Sequence, residues 1–157
     1  MLSAKEVFEK LQKAALAATG QDERALQIDY DALEKKVLAM LGDRKVSLLH
    51  INKHLPEGYE DQGHMNAVVV TQGNVLFDIV IGDSYYRYDI FSASDLDKIQ
   101  SIDGVWEDKE KREEISFLSL RLMHGDEAHI LLALNDEQRQ NVLAVANAVT
   151  FARHPEK

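Results

Sequence analysis

The chain has 157 residues, 45% of them hydrophobic, which is enough for a packed core and excludes wholesale disorder. It has no cysteine, which excludes disulfides, thiolate metal sites and cysteine nucleophiles together. The net charge is −9, and an acidic surface repels phosphate backbones and anionic lipid, so neither nucleic acid nor a membrane is an expected partner.

The charge is unevenly placed. Residues 1–45 hold eight Lys/Arg and eight Asp/Glu, and the remainder holds ten against nineteen. No apolar run approaches the length of a membrane helix, and MLSAKEVFEK lacks the basic-then-apolar order of a signal peptide, so a cytoplasmic location is expected.

Ser3 followed by Glu6 is a capping box. Val7, Leu11, Ala14, Ala15 and Ala18 then recur at helical spacing up to Gly20. A second helix is expected from Asp29 or Asp31 to Leu41, with Tyr30, Leu33, Val37 and Leu41 as its apolar stripe and Gly42 as its stop. Residues 1–45 thus read as a helical hairpin too small to stand alone, packed on the rest or on a partner subunit.

From Val46 the period changes to alternation, and residues 46–157 read as the strand-rich domain. VSLLHINK is a first strand, and the polar stretch HLPEGYEDQGH follows it. MNAVVVT and VLFDIVI flank a turn at Gln72-Gly73-Asn74. Gly82-Asp83 signals a two-residue hairpin leading to YYRYDIF. That loop would set Asp78 opposite Arg87 as an exposed pair contributing at most about 1 kcal/mol, with Tyr85 on the same face.

SASDLDK reads as a corner or single helical turn. KIQSIDGVWE reads as a fifth strand interrupted at Asp103-Gly104, and DKEKREE as a charged loop. EISFLSLRLM and EAHILLAL form a last hairpin around Gly125-Asp126, which sets Leu122 against His129 and Leu120 against Leu131. Both faces of that pair are apolar, so both need cover, which the N-terminal helices or a partner subunit would supply. Asn135 caps a closing helix with Val142, Val145, Ala146 and Val149 on its buried stripe.

The fold class expected is α+β: two helices, about seven antiparallel strands, one C-terminal helix. That order, with the segment MNAVVVTQGNVLFDIVIGDSYYRYDIFSASDLDKIQSI and its Ser94-Asp95-Leu96 corner, resembles bacterial members of the pleckstrin-homology-like superfamily. The resemblance covers roughly residues 46–154. It implies a barrel closed by the last helix and a scaffold for binding proteins, peptides or, in some relatives, lipid headgroups. Lipid-binding relatives carry basic residues in the first strand loop, whereas here HLPEGYEDQGH has Glu57, Glu60 and Asp61 and no Lys or Arg. No phosphoinositide-binding residue carries over.

Candidate chemistry is sparse. His50, His54 and His64 are weak metal candidates. On a strand, His50 and His54 share a face but lie roughly 13 Å apart, too far for one ion to bridge. Ser92, Ser94, Asp95 and Asp97 are better read as turn and cap residues than as a cation loop. His124 with Asp126 is read as a turn, and His129 as a core histidine. There is no G-x-S-x-G, phosphate loop or H-E-x-x-H.

No catalytic residue and no cofactor is assigned. Trp106, the only tryptophan, and Tyr85 are the candidate partner-binding residues, since aromatic side chains concentrate interface energy. The expected function is a non-enzymatic protein- or peptide-interaction module, with self-association open. The alternatives are a small acidic secretion-type chaperone or immunity-like inhibitor binding a protein client, and a metal-assisted hydrolase using the three histidines.

Overall fold

The computed structural model describes residues 1–19, 28–52, 63–82, 84–108 and 110–153. Among them are three α-helices and seven antiparallel strands in two sheets. The chain divides into two compact units, Met1–Ile90 and Phe91–Lys157.

In the first unit, α1 (Ala4–Thr19) opens on the expected capping box. The Glu6 N–H donates to Ser3 Oγ and the Ser3 N–H to Glu6 Oε1, both at 3.2 Å. The Ser3 backbone and then its hydroxyl hold the Glu6 carboxyl below its usual range. Helix α2 (Tyr30–Leu41) is capped by Asp29 and ends at Gly42. A four-stranded sheet follows in the order β1 (Val46–Asn52), β2 (Met65–Thr71), β3 (Val75–Ile81), β4 (Tyr86–Ser92).

Strand alternation splits this sheet into two unlike faces. Met65, Ala67, Val69, Phe77, Ile79 and Ile81 share one core with Val7, Phe8, Leu11, Leu33, Val37 and Leu41 of the helices. Each of these side chains larger than alanine, fully removed from water, contributes about 1.5–3 kcal/mol. The helices therefore have their cover in the first sheet, and the apolar stripes of α1 and α2 are explained by it.

The β3–β4 hairpin closes differently from its sequence signal. The Gly82 N–H donates to the Tyr85 carbonyl, 2.9 Å, so the strands meet at that pair and not at Ile81 and Ser84. A Cβ on residue 82 would collide with the Tyr85 ring, so glycine at this position lets the ring fold back over the chain. The exposed Asp78–Arg87 pair is corrected by the same geometry. Asp78 is fully buried, and Arg87 Nε donates to Asp89 Oδ2 at 3.0 Å.

In the second unit a one-turn helix (Ala93–Asp95) precedes a three-stranded sheet, β5 (Lys98–Asp108), β6 (Glu113–His124) and β7 (Glu127–Ala133). The β6–β7 register is the expected one, with Leu120 opposite Leu131 and Leu122 opposite His129. The Gly125 N–H at its turn donates to Asp97 Oδ2, 2.6 Å, a long-range bond between two turns that differs from the local turn or cap role read for Asp97. Strand β5 departs from expectation: it runs unbroken through Asp103-Gly104.

Helix α3 (Asp136–Arg153) packs against β6, β7 and the one-turn helix. It buries Val142, Val145 and Val149, while Ala146 is half-buried. Asn135 Oδ1 accepts the Gln138 N–H at 2.9 Å, and Gln138 Oε1 accepts the Leu134 N–H at 2.8 Å. No helix among the described residues is long and apolar enough to cross a membrane.

Candidate functional site: an aromatic ribbon and a buried polar ladder

Two places in the molecule carry more than packing. The first is the far half of the β5–β6 hairpin. Strand β7 pairs only with Leu118–His124 of β6. Beyond that point Gly104–Asp108 and Glu113–Phe117 pair with each other alone among the described residues, as a two-stranded ribbon.

Successive side chains alternate across the ribbon. One face carries Gly104, Trp106, Ile115 and Phe117, and the other Val105, Glu107, Glu114 and Ser116. The Trp106 and Phe117 rings lie 4.9 Å apart, tilted by 31°. A Cβ on residue 104 would stand 2.5 Å from Phe117 Cζ, so Gly104 is the seat of the Phe117 ring. This explains why the glycine does not break the strand: the phenyl ring directly across fills its missing side chain.

Trp106 is half-buried and Val105 is 59% exposed. The ribbon thus presents an ordered, stacked aromatic pair that keeps access to solvent, the form in which Trp side chains anchor interfaces. At its end the register sets Glu107 opposite Glu114 and Asp108 opposite Glu113, two like-charged cross-strand pairs in succession. Such pairs destabilise a ladder. Asp108 has a local role, because its Oδ1 accepts the backbone N–H groups of Glu110 and Lys111 at 3.1 and 3.3 Å. Tyr85, the other expected contact, sits in the β3–β4 turn and is 46% exposed.

The second place is a buried polar row in the first sheet. His50, Asn52, Asn66 and Asp78 are all at most 2% exposed. Asn66 Nδ2 donates to Asp78 Oδ1 at 2.9 Å, and Asn52 Nδ2 to Asn66 Oδ1 at 2.7 Å. His50 Nε2 lies 3.0 Å from Asn52 Oδ1. Each amide spends its NH2 toward the carboxylate and turns its carbonyl the other way. The polarity of the row therefore requires a hydrogen on His50 Nε2. Asp89 on β4 continues the row, its carboxylate within 4.8 Å of that of Asp78.

This ladder was not foreseen. Its members sit on β1 to β4, and only His50 and Asn52 are joined by a local spacing. It also gives His50 a structural occupation as a buried ring bonded to Asn52. His64 lies at the approach to β2, where its N–H donates to the Ile81 carbonyl at 2.8 Å. His54 and the 53–62 stretch lie outside the described residues. His129 is buried and stacked on Phe91, with centroids 4.3 Å apart and planes 15° apart. Comparison of the chain with protein families, curated proteins and solved structures finds no match.

Proposed function

We propose that this chain is a non-enzymatic module that binds a protein or peptide partner through the β5–β6 ribbon, with Trp106 as its anchor. The observation that carries the reading is the half-buried Trp106–Phe117 stack on a ribbon that no third strand joins among the described residues. A Trp side chain fixed by a neighbour loses little entropy on binding and offers a large apolar surface. Tyr85, 46% exposed, is the second proposed contact.

The pleckstrin-homology-like reading belongs to the same proposal. It is supported by a sheet of four sequential strands, then a sheet of three, then one helix, in that chain order. Closure of the sheets into a barrel is proposed with it. The −9 charge supports a protein partner over nucleic acid or anionic lipid.

A photo-crosslinking residue at Val105, tested in cells that make the protein, should capture a discrete protein partner. The same residue at Leu38, 36% exposed on α2, should not. Equal capture from both positions, or none from Val105, would remove the ribbon from the account.

A further inference from the structure

We infer that the edge of β5 that no strand pairs with among the described residues takes an extended, Lys- or Arg-rich segment of another protein as an added β-strand. The inference rests on the ribbon being the partner-binding element and names the chemistry of the partner. Strand β5 is the outer strand of its sheet. Its eleven residues pair with β6 in one register from Lys98↔Met123 to Asp108↔Glu113, without a bulge. It contains no proline.

A long, regular edge of this kind presents a row of main-chain donors and acceptors to a further strand. Proteins ordinarily blunt such edges by shortening, bulging, proline or charged side chains; β5 has none of the first three and relies on charge, carrying Lys98, Asp103, Glu107 and Asp108. Main-chain pairing supplies affinity in strand addition, and side chains on alternate positions supply choice.

The side chains beside this edge choose a cation. An incoming strand directs alternate residues to the two faces of the ribbon. On one face they meet Val105 with the Glu107–Glu114 carboxylates, and on the other the Trp106–Phe117 stack. A Lys or Arg satisfies both, by charge on the first face and over the indole on the second. The like-charged pair, unfavourable in the free chain, becomes favourable once a cation lies beside it. Lys111 and Arg112 belong to the turn beyond the strand ends; Lys98 lies at the start of β5 and Arg139 of α3 pairs with Asp103 at 2.8 Å, so it is the Val105–Asp108 half of the strand whose charged side chains are all acidic. A single metal ion does not answer the same pattern, because the Glu107–Glu114 and Asp108–Glu113 pairs lie on opposite faces.

The test uses two acetylated, amidated eight-residue peptides, one alternating Lys and Val and one alternating Glu and Val, titrated calorimetrically into the full chain. The Lys peptide should bind and the Glu peptide should not. The double substitution Glu107→Lys with Glu114→Lys keeps a like-charged pair, and so the strand's own balance, while reversing its sign. It should weaken the Lys peptide at least roughly tenfold and admit the Glu peptide. N-methylating the six central amides of the Lys peptide leaves its charge intact and should also cost at least about tenfold, because the added ladder is lost.

An unchanged preference after charge reversal, or undiminished binding by the N-methylated peptide, would overturn the inference. A dimer that the Lys peptide does not dissociate would assign the edge to a second copy and overturn it as well. If neither peptide binds but Val105 still crosslinks to a cellular partner, the basic-strand inference falls and the ribbon stands. If both fail, the ribbon reading falls too.

Discussion

Replacing Asn66 by leucine should destabilise the protein by roughly 2–4 kcal/mol, out of proportion to the small change in volume. Asn66 is fully buried and joins two neighbours: it accepts from Asn52 and donates to Asp78. Leucine removes one hydrogen bond from each of them, and a buried polar group that loses a partner keeps its desolvation cost. The ladder is directional, so a second variant separates polarity from shape. Asp78→Asn retains an oxygen that can accept from Asn66 Nδ2 and should cost less than half as much. Urea unfolding of both variants checks this. Similar losses for the two would mean that the row acts by packing and that its hydrogen-bond direction is incidental.

Gly63→Ala should cost about 3 kcal/mol although it adds one methyl group. The residue has φ +68°, a region in which an L side chain is strained by roughly 1–2 kcal/mol. A Cβ there would also stand 2.6 Å from the Ile81 carbonyl oxygen. That oxygen accepts the His64 N–H at the point where β2 begins to pair with β3. Backbone cannot swing aside as a ring can, so the start of the β2–β3 ladder must move. Gly104→Ala offers the contrast: its clash is with the tip of Phe117, and that side chain can swing aside about χ1. The unfolding midpoint should fall much further for Gly63→Ala than for Gly104→Ala. Equal shifts would show that the carbonyl contact is relieved locally.

What could be read from the sequence was local. The capping boxes at Ser3–Glu6 and Asn135–Gln138, the Gly42 stop and the β6–β7 register all depend on residues within a few positions of one another. The division of the first sheet into an apolar and a polar face was hidden, because β2 is buried on both faces and its Val-rich run masks the alternation. Asn52, Asn66 and Asp78 become neighbours only when three strands are in register, a long-range fact.

The Gly82-Asp83 signal identified the hairpin and misplaced its closure, because the turn pattern carries no sign of the Tyr85 ring that packs over Gly82. Gly104 looked like an interruption for the same kind of reason: its filler, Phe117, lies thirteen residues away across the hairpin. Trp106 was legible as a candidate because it is the only tryptophan. The stack that holds it, and the end of β7 that leaves the ribbon two-stranded, required the register of β5 on β6 and of β6 on β7.

The most direct test of the central claim is a native mass spectrum of the untagged protein taken from cells that make it, compared with Trp106→Ala prepared in the same way. The ribbon account predicts a defined excess over the mass of the bare chain for the first, at fixed stoichiometry. It predicts loss of that excess for the second, with the circular dichroism of the fold retained. The same excess in both, or a bare chain in both, would contradict it.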